Sequence, residues 1–367
     1  EVTMNQKADA SCENSWFSAE GRDCDVVIST RVRLARNLAS FPFPSHFHGD
    51  DAERVQALVF DSFSKFPSPD SYHAVSIENI DSSGIKVFAE RGFLDNPVGT
   101  GFVMGASDNI ACMVNSQDHV RIISFVPGLN CQEAFRQCQY LDANLQASLQ
   151  FAASYDFGFL TSALKDCGSG MKISVRLHLP ALSYSGKMPE ITEILQKKSL
   201  AVSACFGTGK DSSFCIGSYY QIYTTCSCSG SELDQLVGIA SAVMPVVESE
   251  RKLNSEFSAD VPTVIRDSVT RSYALAKFSR LITFREAIEF ISNLKWGLNL
   301  GLLDGIEHSQ LCALLCRIQE GHLQFVLKNS SFHFEHDVES DLKMKTDRLR
   351  ALILQEAMEN VRFVETA

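Results

Sequence analysis

The apolar pattern divides the chain into a mixed first part and a helical last part. Val26-Val27-Ile28 is a short β-branched run that reads as a strand leading into Ser29–Asn37. Gly84 to Glu90 alternates like a strand. Phe102-Val103-Met104-Gly105 and Ile110-Ala111-Cys112-Met113-Val114 flank Ser107-Asp108-Asn109. That order predicts a hairpin with Asp108-Asn109 at its turn. His119 to Phe125 reads as another strand, closed by Pro127-Gly128. Phe135, Cys138, Leu141, Leu145 and Leu149 recur at helical spacing and predict a helix over 131–153. Met171 to Leu182 is strand-like. Ala201 to Ser227 reads as two strands around the tip Gly207-Thr208-Gly209.

The pattern changes after Ser231. Ser231 and Asp234 form a capping pair that opens a helix over 232–253, with Pro245 in its interior as an expected kink. Beyond Asp260 every periodic segment reads as helical. Thr283-Phe284-Arg285-Glu286 is a capping box before Ala287–Trp296, and Gln310–Ile318 and Leu342–Val361 follow. A soft boundary falls between Ser255 and Val261. The expected division is 1–255 for a mixed domain and 256–367 for a helical one.

Composition narrows the class without naming it. The 367 residues carry a net charge of -11, with 45% hydrophobic and 21% charged residues, as in ordinary folded domains. Such acidity argues against general nucleic-acid or anionic-membrane binding, though a local basic pocket is compatible with it. No apolar run approaches the roughly 20 residues that a bilayer needs. The polar start, Glu1 to Glu20, lacks the apolar core of an export signal. The 12 cysteines form no CxxC pair, and Cys226-Ser227-Cys228 is too close for a usual zinc clamp. Reduced thiols and a cytoplasmic location are the expectation.

Against that background one stretch stands out. Ser29-Thr30-Arg31-Val32-Arg33-Leu34-Ala35-Arg36-Asn37 places three arginines within six residues. On a strand, Arg31 and Arg33 point to one face. Two guanidinium forks side by side suit the phosphates of a nucleotide, and equally suit a solvated basic face.

This run resembles S-[ST]-R-[IV]-R-L-A-R-N, a signature of the bacterial protein-arginine kinases (McsB) within the ATP:guanido phosphotransferase, or phosphagen kinase, family. Companions follow in the family's order. Asn115-Ser116-Gln117-Asp118-His119-Val120-Arg121-Ile122 resembles N-E-E-D-H-[IL]-R-I. Gly158-Phe159-Leu160-Thr161-Ser162 with Gly168-Ser169-Gly170 resembles G-[YF]-L-T-S-C-P-T-N-x-G-T-G. Ser174-Val175 and His178-Leu179-Pro180-Ala181-Leu182 are similar to the strand after it. Arg271-Ser272-Tyr273, Leu275 and Ser279-Arg280 resemble a stretch of the protein-arginine kinase branch.

The resemblance implies an α+β fold: a large antiparallel sheet flanked by helices, then an all-helical C-terminal domain that forms a homodimer. It implies ATP with Mg as cofactor, with magnesium held mainly by phosphates and water. It implies a McsA-like zinc-finger activator and a Clp-type unfoldase as partners. Of five family arginines that grip phosphates, Arg31, Arg33 and Arg121 match three. Lys172 stands at the fourth and Ser203 at the fifth. Metabolic phosphagen kinases carry a further N-terminal helical domain, for which the residues before Ser29 leave no room, so free arginine is not the expected substrate.

The acids are missing. The family's catalytic base stands at Gln117, with Ser116 beside it, and its second guanidinium-binding glutamate at Thr208. The family cysteine is Ala163. Glutamine accepts a hydrogen bond but takes no proton. Loss of a general base costs about 10²–10⁴ in rate. Rescue by Asp118 or by Asp211, on the Gly-rich tip, would need a side chain reaching from a shifted position. A phosphoarginine-binding R-D-x-x-R-A motif finds its best match at His336-Asp337-Val338-Glu339-Ser340-Asp341, where the arginines are absent. The expected function is a pseudokinase or severely impaired protein-arginine kinase acting through protein contacts. The alternative is an active protein-arginine kinase with a rebuilt or partner-activated site.

Overall fold

The computed structural model of the chain describes residues 15–94, 99–207, 215–227 and 230–364. The β-branched run near the start grows into β1 (Val27–Arg36), which lies inside a large antiparallel sheet. On one side of it come β5 (Val120–Pro127), β4 (Ile110–Val114), β3 (Gly101–Gly105) and β2 (Tyr72–Ser76). On the other lie β8 (Met171–His178), β10 (Tyr219–Thr224) and β9 (Leu200–Ala204). The eight strands follow the order β2-β3-β4-β5-β1-β8-β10-β9. Two small ribbons stand apart: β6 (Ala153–Ser154) with β7 (Gly158–Phe159), and β11 (Leu303–Asp304) with β12 (Arg362–Phe363).

Alternation along the strands gives the sheet two unlike faces. Val32, Leu34, Val120, Ile122, Ile173, Val175 and Ile222 point to one face and are fully or almost fully buried. Helices α3 (Cys131–Gln146) and α6 (Glu232–Ala259) cover it, bringing Cys138, Leu141, Leu145, Ile239, Val243 and Val247 into the same core. Burial of each such aliphatic side chain is worth about 1.5–3 kcal/mol. On the other face the β2–β5 half is apolar. Phe102, Met113, Ile123 and Phe125 form a second core there with Phe93. The β1–β8–β10–β9 half of that face carries polar and charged side chains.

Helix α2 (Ser82–Glu90) closes the second core, and it corrects the strand expected over 84–90. The Asp81 carboxylate accepts from the Gly84 amide at 2.7 Å, a helix cap. Ile85 and Phe88, three apart, then share the face that packs on the core. Two further segments differ. α3 stops at Gln146 rather than continuing to 153. β8 ends at His178, because Pro180 opens a short helix, α4 (Pro180–Tyr184), rather than continuing the strand to Leu182. The hairpin turn is as expected, with Asp108 at φ 54°.

α1 (Asp51–Ser64) and α5 (Met188–Gln196) complete the first part. α6 begins with the Ser231/Asp234 capping box and is continuous through Pro245. The last part consists of α7 (Thr263–Phe278), α8 (Phe284–Asn299), α9 (His308–Arg317), α10 (Glu320–Asn329) and α11 (Leu342–Ala357). The Thr283/Glu286 capping box opens α8. The β11–β12 ribbon corrects the expectation of helix alone. The two parts are tied by buried polar contacts: His178 Nε2 meets Ser292 Oγ at 2.8 Å, and Lys295 Nζ donates to the Cys24 carbonyl at 2.6 Å. No described cysteine lies in a disulfide.

Candidate functional site: a cationic cleft on the open sheet face

β1 aims Arg31 and Arg33 at the polar half of the open face. Register sets Arg33 opposite Lys172, and Arg31 opposite Ser174, on β8. Gln221 and Tyr223 continue the same face on β10, and Ser203 lies opposite Gln221 on β9. The result is a cleft of about 310 Å³ whose walls include Arg31, Arg33, Lys165, Lys172, Gln221 and Tyr223. Several cations around one concavity suit a polyphosphate, and the two arginine forks can each bind oxygens bidentately. Ser203 is half-buried and adds no charge.

Two cations here went unread in the sequence. Lys165 is exposed on the loop before β8. Arg176 follows Lys172 and Ser174 at period two on β8, which was the available signal. Its guanidinium stands 6.0 Å from the Phe125 ring centre, and that of Arg31 stands 5.6 Å from the same ring. Lys172 is not a bare charge: its Nζ lies 2.7 Å from Asp166 Oδ2. Burial pulls the lysine's pKa down. The Asp166 carboxylate opposes that, while Arg33 and Lys165 add to it.

Arg121 shares the face but is buried beside the cleft, on β5 opposite Ala35. Its Nη2 donates to Gln117 Oε1 at 2.6 Å, and its Nε lies 3.3 Å from Asp118 Oδ2. The Gln117 amide, at the position where the resemblance implies a catalytic base, is therefore a hydrogen-bond acceptor for an arginine. Asp118 is almost fully buried and engaged on both oxygens. Its Oδ1 accepts from Asn37 Nδ2 at 2.9 Å and from the Ser162 amide at 2.8 Å. Three protein donors hold this carboxylate in place, so its role is to join β1, β5 and the 160–162 loop. The structure gives no opening for it as a substitute base.

The third arginine of the opening run belongs to the fold. Arg36 is buried, pairs with Asp142 on α3 through Nε–Oδ1 at 3.0 Å and Nη2–Oδ2 at 2.9 Å, and stacks on Phe159. Breaking such a buried pair costs about 3–5 kcal/mol. Beside it, His119 Nδ1 accepts from the Leu38 amide at 2.9 Å, and Nε2 faces the Pro42 carbonyl at 3.0 Å. An imidazole bonded this way is neutral, and burial holds its pKa below the usual range.

Ala163 lies half-buried in the loop between β7 and β8, where its carbonyl accepts from Thr161 Oγ1 at 2.9 Å. A thiol does stand nearby: Cys167 Sγ lies 3.7 Å from Thr161 Oγ1. Thr208 and Asp211 lie outside the described residues. His336 and Asp337 are exposed in the turn before α11. The neighbouring Glu335, rather than Asp337, draws the arginines: Arg348 Nη2 is 3.1 Å from it, and Arg280 also binds it. Among the described residues no cluster of His, Cys, Asp and Glu is built to hold a metal ion. No described helix is long and apolar enough to cross a membrane.

Comparison with known proteins follows the same division of the chain. Residues 54–253 match the model of the ATP:guanido phosphotransferase C-terminal catalytic domain. Residues 262–366 match that of the protein-arginine kinase McsB C-terminal domain. A protein-arginine kinase of Syntrophomonas wolfei is 30% identical over 319 residues, covering 84% of this chain and 88% of that protein. One from a Geobacillus species is 30% identical over 85% of this chain and 87% of its own. Among solved structures, the duplicated taurocyamine kinase of Schistosoma mansoni with bound transition-state-analogue components shares the fold. It does so at TM-score 0.57 and 21% identity, over 71% of this chain and 39% of that one. A lombricine kinase structure aligns at TM-score 0.55 and 18% identity, over 64% of this chain and 69% of that one.

Proposed function

We propose that this chain, which belongs to the ATP:guanido phosphotransferase family and carries the protein-arginine kinase C-terminal domain, binds ATP without efficient phosphoryl transfer. It is a pseudokinase or severely impaired protein-arginine kinase that works through protein contacts. Its expected setting is Clp-type protein quality control in the cytoplasm, as a homodimer with a McsA-like zinc-finger activator and a Clp-type unfoldase as partners.

One observation carries the reading. The catalytic-base position holds Gln117, whose amide accepts from Arg121, and the adjacent Asp118 is bonded within the protein on both oxygens. In-line phosphoryl transfer to a guanidinium needs a carboxylate to orient the group and take its proton. The cleft beside it retains Arg31 and Arg33, which fit the phosphates of ATP. Magnesium accompanying the nucleotide would supply positive charge that offsets the phosphates beside Arg31 and Arg33. The phosphates and water are its expected ligands.

Calorimetric titration with ATP–Mg tests the binding half. Native protein should bind, and Arg33→Ala should abolish or greatly weaken binding. Mass spectrometry of casein incubated with the protein and ATP tests the other half, with no phosphoarginine expected. Phosphoarginine that disappears in Arg31→Ala would overturn the pseudokinase reading. A second reading, an active protein-arginine kinase with a rebuilt or partner-activated site, draws support from the name of the matched relatives. It predicts modification of casein once a zinc-finger activator is added.

A further inference from the structure

Two positions at which the chain departs from the motifs it resembles touch each other. Lys172 stands at an arginine position. Asp166 stands at the asparagine of G-[YF]-L-T-S-C-P-T-N-x-G-T-G, the motif that Gly158 to Gly170 resembles. Their side chains meet at 2.7 Å, Lys172 Nζ to Asp166 Oδ2. Asp166 is 6% exposed, and its other oxygen, Oδ1, is buried with no hydrogen-bond partner among the described residues. A carboxylate so removed from water depends on its one ammonium, because losing it would leave an uncompensated buried charge. Lys172 itself is 22% exposed at the wall of the cleft. Asparagine at 166 could hydrogen-bond the ammonium yet leave its charge available to an anion.

We propose that Asp166 is a built-in counter-anion of the cleft, which binds Lys172 internally and lowers the cleft's affinity for polyphosphate. The grip then falls to Arg31 and Arg33, with Lys165 at the rim. Asp166 is thus a positioning residue that acts through Lys172 and sets how strongly the cleft selects a highly charged nucleotide. The inference rests on the reading of the cleft as a nucleotide site and adds the internal control of its charge.

The test is titration of ATP–Mg into four proteins: native, Asp166→Asn, Asp166→Ser and Asp166→Asn/Lys172→Ala. Thermal melting of each establishes that it is folded, and the serine variant serves if the asparagine variant is not. Releasing the ammonium should tighten ATP binding roughly tenfold, and the added Lys172→Ala should abolish that gain. A merely structural Asp166 would give weaker or unchanged binding, which overturns the proposal. A gain that survives removal of Lys172 overturns it equally. Binding by Asp166→Asn alone, with none by native protein, upholds the counter-anion and refutes ATP binding by the native chain. Binding by none of the folded proteins refutes both.

Discussion

Glutamine 117 and arginine 121 illustrate how one atom changes a site. A glutamate there would pair with Arg121 and still hold a proton acceptor, whereas the amide keeps the contact and loses the base. Gln117→Glu alone should leave turnover low, because Thr208 also lacks a carboxylate. The double variant Gln117→Glu/Thr208→Glu should raise ATP-dependent phosphoarginine formation by about 10²-fold or more, the usual worth of a general base. Phosphoarginine counted by mass spectrometry checks this, and an unchanged yield would mean that the Ser203 and Ala163 replacements also limit the reaction. At this scale the sequence was informative where chemistry is local. The motif order singled out Arg31 and Arg33, which the structure sets at the wall of one cleft. It was silent on Asp166, because an aspartate in the loop before a strand shows no partner until the loop folds back onto Lys172. It also could not separate Arg36 from its neighbours, since its partner Asp142 is distant in sequence.

Among the elements, α2 and α10 form a clasp across the two parts of the chain. Glu90, at the end of α2, accepts from the amides of Gly321 and His322 at 2.7 and 3.2 Å. These are orphan donors of the first turn of α10, which an acid satisfies well. Lys86 reaches Glu320 at 3.1 Å, and Asp81 pairs with Lys328. A Cβ on Gly321 would stand 2.8 Å from Glu90 Oε2 and 2.9 Å from Lys86 Cβ, so only glycine seats the helix this closely. Glu90→Ala should therefore cost about 1–2 kcal/mol by urea unfolding and speed hydrogen exchange at Gly321 and His322. Exchange unchanged at those amides would remove the clasp from the account. The sequence misread α2 because Ile85 and Val87 flank the polar Lys86 with the period of a strand. Its helical period lies in Ile85 and Phe88, and only the second core shows which apolar residues face inward. The caps at Ser231 and Thr283 were legible because a capping box is contained within four residues.

For the whole molecule, a buried acid links stability to pH. Glu250 on α6 accepts from the Ala181 and Leu182 amides of α4, both at 2.9 Å. Burial nevertheless raises its pKa from the usual 4.5 to about 7, against the pull of those amides. The folded chain therefore holds a proton between those values that the unfolded chain has released. Stability from this group is full below about 4.5 and is lost as pH rises to about 7, by about 3 kcal/mol. Urea unfolding at pH 5 and pH 8 should show this fall in native protein and a flatter profile in Glu250→Gln, and equal slopes would refute it. β1 has a different consequence at the same scale. It is an inner strand of the main sheet, and its run serves two masters. Thr30, Leu34, Arg36 and Asn37 are buried and hold the sheet to its neighbours, with Thr30 Oγ1 on the Gly128 carbonyl at 2.7 Å. Arg31 and Arg33 face the cleft instead. Under drift constrained by folding alone, the first four would persist and the last two would wander. The signature can therefore outlive the reaction as a fossil of architecture, and positions 31 and 33 alone keep time on its use.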